Sequence, residues 1–282
     1  MKKPLITLYG FGYVGQAVWR FLRDHYELQI FDPNREAGVD LSDRPAIVHE
    51  RAALVATPYA IICVPTAMTQ DGSCDTSIVE QTVKLSNHDY YLIKSTVPPG
   101  TTARLIKENK KAIAFSPEYI GEGKYEVPFW QGYPHPTKMK LHQFHIFGGA
   151  RRVTTKWLEL WQKVAGWGPT YVQTDSTTAE LVKYMENCFL ATKKIFCDEF
   201  YEIAKALGVD YHELKELWLL DGRAGRAMTL IYPESRGFGG KCLPKDLNAA
   251  IKFAGAAGYD AKLLKQVLAS NKKFNKKLRS VV

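Results

Sequence analysis

Short apolar runs alternate with longer amphipathic stretches through the first half of the chain. LITLY (5–9), LQIF (28–31), AIICV (60–64), YYLIK (90–94), AIAF (112–115) and HIF (145–147) are rich in aliphatic and aromatic residues and read as strands. Between them, Val14–Arg23, Ser77–Leu85 and Thr101–Asn109 carry apolar residues at helical spacing. Continuous apolar strands separated by helices predict an α/β fold, a parallel, doubly wound sheet covered on both faces. A helix around Val153–Ala165 and a strand around Thr170–Val172 are expected to close this domain near Thr174.

After Thr174 the pattern turns helical. Thr177-Thr-Ala-Glu180 has capping-box spacing and opens an apolar-periodic stretch through Leu181, Met185, Phe189, Phe196, Phe200 and Ile203 to a stop at Gly208. This predicts a helix of about thirty residues, roughly twice the usual length and suited to a spine between domains or subunits. Further helices are expected over Tyr211–Leu220, Asp246–Ala254 and Lys262–Leu278. The chain thus divides into residues 1–174, a sheet domain, and residues 175–282, an all-helical domain.

Composition narrows the classes. With 282 residues, 46% hydrophobic and 24% charged, the chain is an ordinary globular protein of one large or two modest domains. Five cysteines, Cys63, Cys74, Cys188, Cys197 and Cys242, form no CxxC pair, so neither a disulfide framework nor a zinc or other metal site is expected. Reduced cytosol is the natural compartment, and a cytoplasmic location is expected. The apolar stretch in MKKPLITLYGFG is broken by glycine too early for a signal peptide, and no run reaches membrane-spanning length. The net charge of +9 suits an anionic ligand such as a nucleotide, and much of it sits in KKFNKKLR (272–279), read as a solvated helix end. No aromatic-basic platform accompanies that charge, so nucleic acid is not an expected partner.

The strand LITLY runs directly into Gly10-Phe-Gly12-Tyr-Val-Gly15, and a helix follows. In that setting the glycines point to a Rossmann-type dinucleotide site. Gly10 permits the turn, Gly12 lets backbone approach a pyrophosphate, and Gly15 lets helix and strand pack closely. Tyr13 and Val14 begin the helix whose N-terminus would hold the anion. Asp32 lies 22 residues after Gly10, where a carboxylate accepts from ribose hydroxyls and repels a 2′-phosphate. That favours NAD over NADP, although Arg35 is close by. Val64-Pro65-Thr66, Ser95-Thr96 and Ser116-Pro-Glu118 follow later strands, at the carboxyl edge where ligands bind in such sheets.

A second group carries different chemistry. Lys183 and Asn187 are four apart on the long helix and share a face, where ammonium and amide could stabilise a developing oxyanion. In RGFGGKCLPKD (236–246), Cys242 follows a glycine-rich turn and precedes Lys245 and Asp246. Cations or a helix N-terminus favour the nucleophilic thiolate of a cysteine, and a carboxylate such as Asp246 can orient or deprotonate water. Cys63, Cys188 and Cys197 sit in apolar stretches and read as small core residues.

Taken together these motifs resemble the UDP-glucose/GDP-mannose 6-dehydrogenase family. The likeness runs in order from GFGYVG through VPT (64–66), DGSCDTS (71–77), STVPPGTT (95–102), SPEYIGEG (116–123), AELVKYMENCFLA (179–191) and LDGRAG (220–225) to GFGGKCLPKD (237–246). It implies two domains, a Rossmann-type NAD-binding sheet and a helical central domain that dimerises through the long helix. It further implies an NAD-dependent, four-electron oxidation of a nucleotide-sugar C6 alcohol to the carboxylate, with UDP-glucose the favoured substrate. By the same carry-over, Thr96 and Glu118 belong to a water network that takes the alcohol proton, and Lys183 and Asn187 hold the oxygen. Cys242 forms a thiohemiacetal and then a thioester, which water assisted by Asp246 hydrolyses. Glu122 joins the cofactor residues. Tyr119, Arg223, Phe238, Gly239 and Lys245 join Glu118, Lys183 and Asn187 on the substrate side, with Arg223 reaching a neighbouring subunit's substrate.

Three departures accompany the resemblance. Family members usually carry a third, nucleotide-binding domain, and this chain ends with the helix that would lead into it. The segment from Asp32 to Ala60 is shortened, and the usual FLREG reads YIGEG, without its arginine. Two other readings remain open at this point: a two-electron β-hydroxyacid dehydrogenase that uses a helix lysine without a cysteine, and a catalytically weak NAD-binding scaffold.

Overall fold

A computed structural model describes residues 4–34, 45–121 and 134–275. The strands are β1 (Leu5–Tyr9), β2 (Glu27–Phe31), β3 (Ile47–Val48), β4 (Tyr59–Ile62), β5 (Tyr90–Ile93), β6 (Ala112–Phe115), β7 (Phe144–Gly148) and β8 (Thr170–Thr174). They form one sheet in the order β3-β2-β1-β4-β5-β6-β7-β8. Pairing is parallel except between β6 and β7, which meet antiparallel at Phe115 and Gly148. The parallel, doubly wound reading holds at every other pairing, and the described residues between β6 and β7 include a short 3-10 turn at Met139–Leu141. The two-residue β3 is too short to show in the hydrophobic pattern.

Helices α1 (Tyr13–Leu22), α2 (Ser77–Leu85), α3 (Thr101–Asn109) and α4 (Arg151–Ala165) cover the sheet. Strand side chains alternate between faces. Ile6, Leu8, Ile61, Leu92 and Ala114 pack with Trp19, Leu22, Trp157 and Trp161 of α1 and α4. Ala60, Ile62, Tyr91, Ile93, Ile113 and Phe115 pack with Val79, Val83 and Leu105 of α2 and α3. Both sheet faces are therefore dry, which is why these strands are apolar throughout.

The helical part comprises α5 (Ser176–Ala206), α6 (Tyr211–Trp218), α7 (Leu243–Ala256) and α8 (Lys262–Phe274). Contacts divide the chain into two units, residues 1–66 with 75–183 and residues 67–74 with 184–282. The division falls inside α5 rather than at 174/175, because the first turns of α5 belong to the sheet unit. The Ala179 methyl packs so closely on Gly148 that a Cβ there would lie 2.5 Å from it. The Glu180 carboxylate accepts the N–H groups of Gly100 (2.6 Å) and Thr102 (2.8 Å) at the start of α3. That use of Glu180 replaces the expected capping box. Asp175 starts α5 instead, accepting the Thr178 N–H at 2.9 Å.

In the second unit Tyr184, Cys188, Ala191 and Ile195 of α5 pack with Phe238, Leu247, Ala250 and Val267. Segment 67–74 joins this core as a tight turn, with Cys74 packed against it and Lys252 3.4 Å from Asp71.

Candidate functional site

Within the sheet unit, the three glycines of the turn after β1 sit in three different surroundings. Gly10 has φ +87°, and a Cβ on it would sit 2.5 Å from the Cys63 carbonyl oxygen. A Cβ on Gly15 would sit 2.1 Å from the Gly10 carbonyl oxygen. A Cβ on Gly12, the residue that caps α1, would meet nothing within 4 Å. Gly10 and Gly15 thus serve the chain's own packing, whereas Gly12 borders open space at a helix N-terminus, the arrangement that admits a phosphate. Tyr13 is exposed beside it and Val14 packs on the core. Asp32 follows β2 and accepts the Phe11 N–H at 2.8 Å through Oδ2 and the Asn34 N–H at 3.1 Å through Oδ1. Open space at Gly12 with a carboxylate tethered to the same turn fits an adenine dinucleotide that keeps both ribose hydroxyls.

The loops after β4 and β5 are tied to each other. Ser95 Oγ donates to the Val64 carbonyl at 2.7 Å, and Thr66 Oγ1 donates to the Thr96 carbonyl at 2.8 Å. Pro65 is exposed between them and Thr96 is half-buried. After β6, Glu118 is buried, and Oε1 accepts the N–H groups of Tyr119 (2.7 Å) and Ile120 (3.0 Å). The Lys183 ammonium lies 5.1 Å from the Tyr119 ring centroid, a cation–π contact. Glu122, Arg35 and the end of the last predicted helix lie outside the described residues.

In the second unit, Cys242 is the N-cap residue of α7 and is half-buried, and Pro244 stands in the first turn. The Asp246 N–H bonds the Cys242 carbonyl at 2.9 Å as the helix begins. The Asp246 carboxylate turns inward, 1% exposed, with Asn187 Nδ2 at 2.5 Å from Oδ2 and Lys245 Nζ at 2.5 Å from Oδ1. Asn187, Lys245 and Asp246, three of the residues singled out from the sequence, thus form one cluster in the turn that begins at Cys242. Burial, and then the nearby Asp246 charge, push the Cys188 thiol up to about 12, so the neighbouring cysteine on α5 stays protonated.

The glycine loop before Cys242 is clamped by residues the sequence did not single out. Arg236 Nε donates to Asp198 Oδ1 at 2.6 Å, and the Gly237 N–H donates to Asp198 Oδ2 at 2.8 Å. Asn271 closes a two-way bridge with Phe238, accepting its N–H at 2.7 Å and donating to its carbonyl at 2.9 Å. The Phe238 ring is buried in the helical core, while Gly239 is exposed on the loop. The available signal was a lysine and an aspartate, Lys194 and Asp198, four apart on α5 and 3.1 Å from each other in the structure. Arg223 is exposed with its guanidinium paired to Asp221, and Lys193 donates to the carbonyls of Ala224 (2.7 Å) and Gly225 (2.8 Å) to hold that loop. Among the described residues no His, Cys, Asp and Glu cluster could hold a metal ion, and no helix is long and apolar enough to cross a membrane.

Comparison with known proteins adds a lineage. The profile of the UDP-glucose/GDP-mannose dehydrogenase family, NAD binding domain, matches residues 46–129, and that of the same family's central domain matches residues 177–273. A UDP-glucose 6-dehydrogenase of Rickettsia bellii is 30% identical over 95% of this chain and 66% of its own length. The chain therefore spans just under two thirds of that relative. The structure of a UDP-glucose dehydrogenase from the archaeon Pyrobaculum islandicum superposes with a TM-score of 0.77 at 29% identity, covering 96% of this chain and 68% of that one. A 3-hydroxyisobutyrate dehydrogenase of Mycobacterium tuberculosis shares the fold alone, with 17% identity, a TM-score of 0.67, and coverage of 96% of this chain and 93% of that one.

Proposed function

The chain belongs to the UDP-glucose/GDP-mannose dehydrogenase family, and from that membership we propose that it oxidises the C6 alcohol of a nucleotide sugar to the carboxylate, UDP-glucose first among the candidates. Cys242 at the start of α7, beside the buried Asn187–Asp246–Lys245 cluster, carries this reading, since a two-electron dehydrogenase needs no nucleophilic cysteine. UDP-glucose is favoured because the Rickettsia and Pyrobaculum relatives bear that name.

NAD bound along the Gly10–Gly15 turn and Asp32 supplies the hydride acceptor for each oxidation. Val64, Pro65, Thr66 and Ser95 would line its nicotinamide end. In the first oxidation the alcohol loses a proton to water ordered by Thr96 and Glu118, and Lys183 and Asn187 stabilise the oxygen as negative charge develops. The Cys242 sulfur then bonds to the aldehyde carbon, and the oxygen takes a proton, giving a thiohemiacetal. Loss of the hydroxyl proton and of the second hydride leaves a thioester. Water directed by Asp246 breaks the carbon–sulfur bond and releases the carboxylate with the thiol regenerated. Tyr119, Phe238, Gly239 and Lys245 are assigned to the sugar side, and Arg223 to a neighbouring subunit's substrate.

The proposed assembly is a homodimer through α5. Leu181, Met185, Phe189, Phe196, Phe200 and Ile203 recur at helical spacing and are all exposed, an apolar stripe on one helix face. Phe189→Glu is expected to shift the sedimentation profile from dimer to monomer. An unchanged profile removes this face as the interface.

NADH release over a panel of UDP- and GDP-sugars, with product mass recorded, tests the function. Two NADH per product carboxylate support it. One NADH per product, with indifference to Cys242→Ala, returns the two-electron reading. Cofactor binding without oxidation of any sugar returns the scaffold reading.

A further inference from the structure

β5 and β6 lie side by side with Ile93 opposite Phe115, so the residues that follow them, Lys94 and the Ser116–Glu118 segment, emerge together at the carboxyl edge. Lys94 does not reach for water there. It is 4% exposed, and its ammonium lies 2.9 Å from Glu118 Oε2, 3.3 Å from Ser116 Oγ and 5.8 Å from the Trp161 ring centroid. Glu118 is 6% exposed, and its other oxygen takes the N–H groups of Tyr119 and Ile120. Oε1 is therefore committed before any ligand arrives, whereas Oε2 faces the Lys94 charge and accepts no hydrogen bond among the described residues.

The surrounding groups leave Lys94 to supply the compensating charge. Burial depresses His142 and His145, so both rings stay neutral at ordinary pH. His142 spends Nε2 on the His135 carbonyl at 2.8 Å. Burial pushes the Cys63 thiol far up, so no anion competes from the end of β4. Burial alone would raise the Glu118 carboxyl, but the Lys94 charge outweighs it and holds it below the usual range. An uncompensated carboxylate at this depth would protonate or pull away.

We infer that Lys94 is a positioning residue: it keeps Glu118 ionised and turned inward, which fixes the Tyr119–Ile120 backbone and leaves the Tyr119 ring beneath the Lys183 ammonium. Glu118 then serves as a fixed anion that orients the water carrying the alcohol proton, without taking up the proton itself. This consequence rests on the dehydrogenase reading; the charge pairing does not.

Lys94→Met and the double variant Lys94→Met/Glu118→Gln test the pairing by urea unfolding from pH 5 to 9 and by pH profiles of NADH production. Without its cation, Glu118 in Lys94→Met titrates upward. The stability deficit of that variant then shrinks as pH falls, because protonation removes the buried charge. Its turnover at pH 6 relative to pH 8 falls below the wild-type ratio, by about ten-fold where only about a tenth of Glu118 stays ionised at pH 6. The double variant recovers the unfolding midpoint at pH 8 without recovering turnover. A deficit independent of pH, or a double variant no more stable than Lys94→Met, overturns the inference. Where Lys94→Met yields no folded protein, folded double variant supports the pairing and unfolded double variant overturns it. If wild type oxidises no nucleotide sugar, the dehydrogenase reading fails while the unfolding series still decides the pairing.

Discussion

Asn187 and Asp246, 59 residues apart, meet with the amide nitrogen 2.5 Å from the carboxylate. The contact ties the long helix α5 to the first turn of α7, the turn that begins at Cys242. Lys245 neutralises the other oxygen, so the buried carboxylate has a donor on each side. Asn187→Leu leaves one oxygen without its donor and is expected to cost about 2 kcal/mol in urea unfolding. Turnover should fall roughly a hundred-fold, since the same amide is assigned to the developing oxyanion. Turnover within a factor of two of wild type would remove Asn187 from the chemistry.

Cys242 and Asp246 separate the two halves of the proposed reaction. Cys242→Ala is expected to stop after the first oxidation, producing at most one NADH per sugar and no carboxylate. Asp246→Asn should retain both hydride transfers for a single turnover and then stall, with steady-state turnover down by about 10²–10⁴. Intact-mass measurement of the stalled protein should find an acyl adduct localised to Cys242. Equal NADH stoichiometry in wild type and Cys242→Ala would end the covalent scheme.

Much of this arrangement was legible in the sequence where the signal is local. The glycine turn between β1 and α1 shows itself as strand, three spaced glycines and helix, and Gly10 and Gly15 prove to be required by the chain's own packing. α2 and α3 begin and end where the periodicity places them. What escaped is long-range. Glu180 reads as part of a capping box until its carboxylate is found on α3. Lys94 reads only as the last residue of the YYLIK strand, because nothing within a few residues reveals that Glu118 will bury with it. Asp198 and Asn271 lie far from the cysteine loop in sequence, and only the packed helices bring them to Gly237 and Phe238.

Gly12 and Gly15 are expected to fail in different ways. Gly15→Ala forces a Cβ into the Gly10 carbonyl, so it should destabilise the fold by about 1–3 kcal/mol and weaken cofactor binding as a consequence. Gly12→Val meets open space in the chain itself and should unfold at a midpoint close to wild type. The same side chain occupies the room assigned to the pyrophosphate, so NAD binding, followed by quenching of tryptophan fluorescence, should weaken at least about ten-fold. Gly12→Val that binds NAD normally would place the pyrophosphate elsewhere.

Acid should weaken the sheet unit through His145. The ring is buried on β7 and stacks 5.5 Å from Tyr171, and Nε2 has no hydrogen-bond partner among the described residues. Burial, then Lys94, then His142 push it down to about 3, whereas an unfolded chain protonates histidine near about 6.5. Between those values the unfolded state binds the extra proton, so stability declines as pH falls through the window, by up to about 1.4 kcal/mol per pH unit. Glu118, held low, acts in the same direction at lower pH: its contribution is present above the ordinary carboxylate range and is lost as pH falls through its folded value. Glu180 opposes both. Burial raises it despite its hydrogen bonds to Thr102 and Gly100, so its protonation favours the folded state on acidification. His145→Phe keeps an aromatic ring against Tyr171 and leaves no polar atom orphaned. Urea midpoints for wild type and His145→Phe should lie close together at pH 8 and separate steadily below about pH 6.5 in favour of the variant. Parallel curves down to pH 4 would mean that His145 accepts its proton in the folded protein.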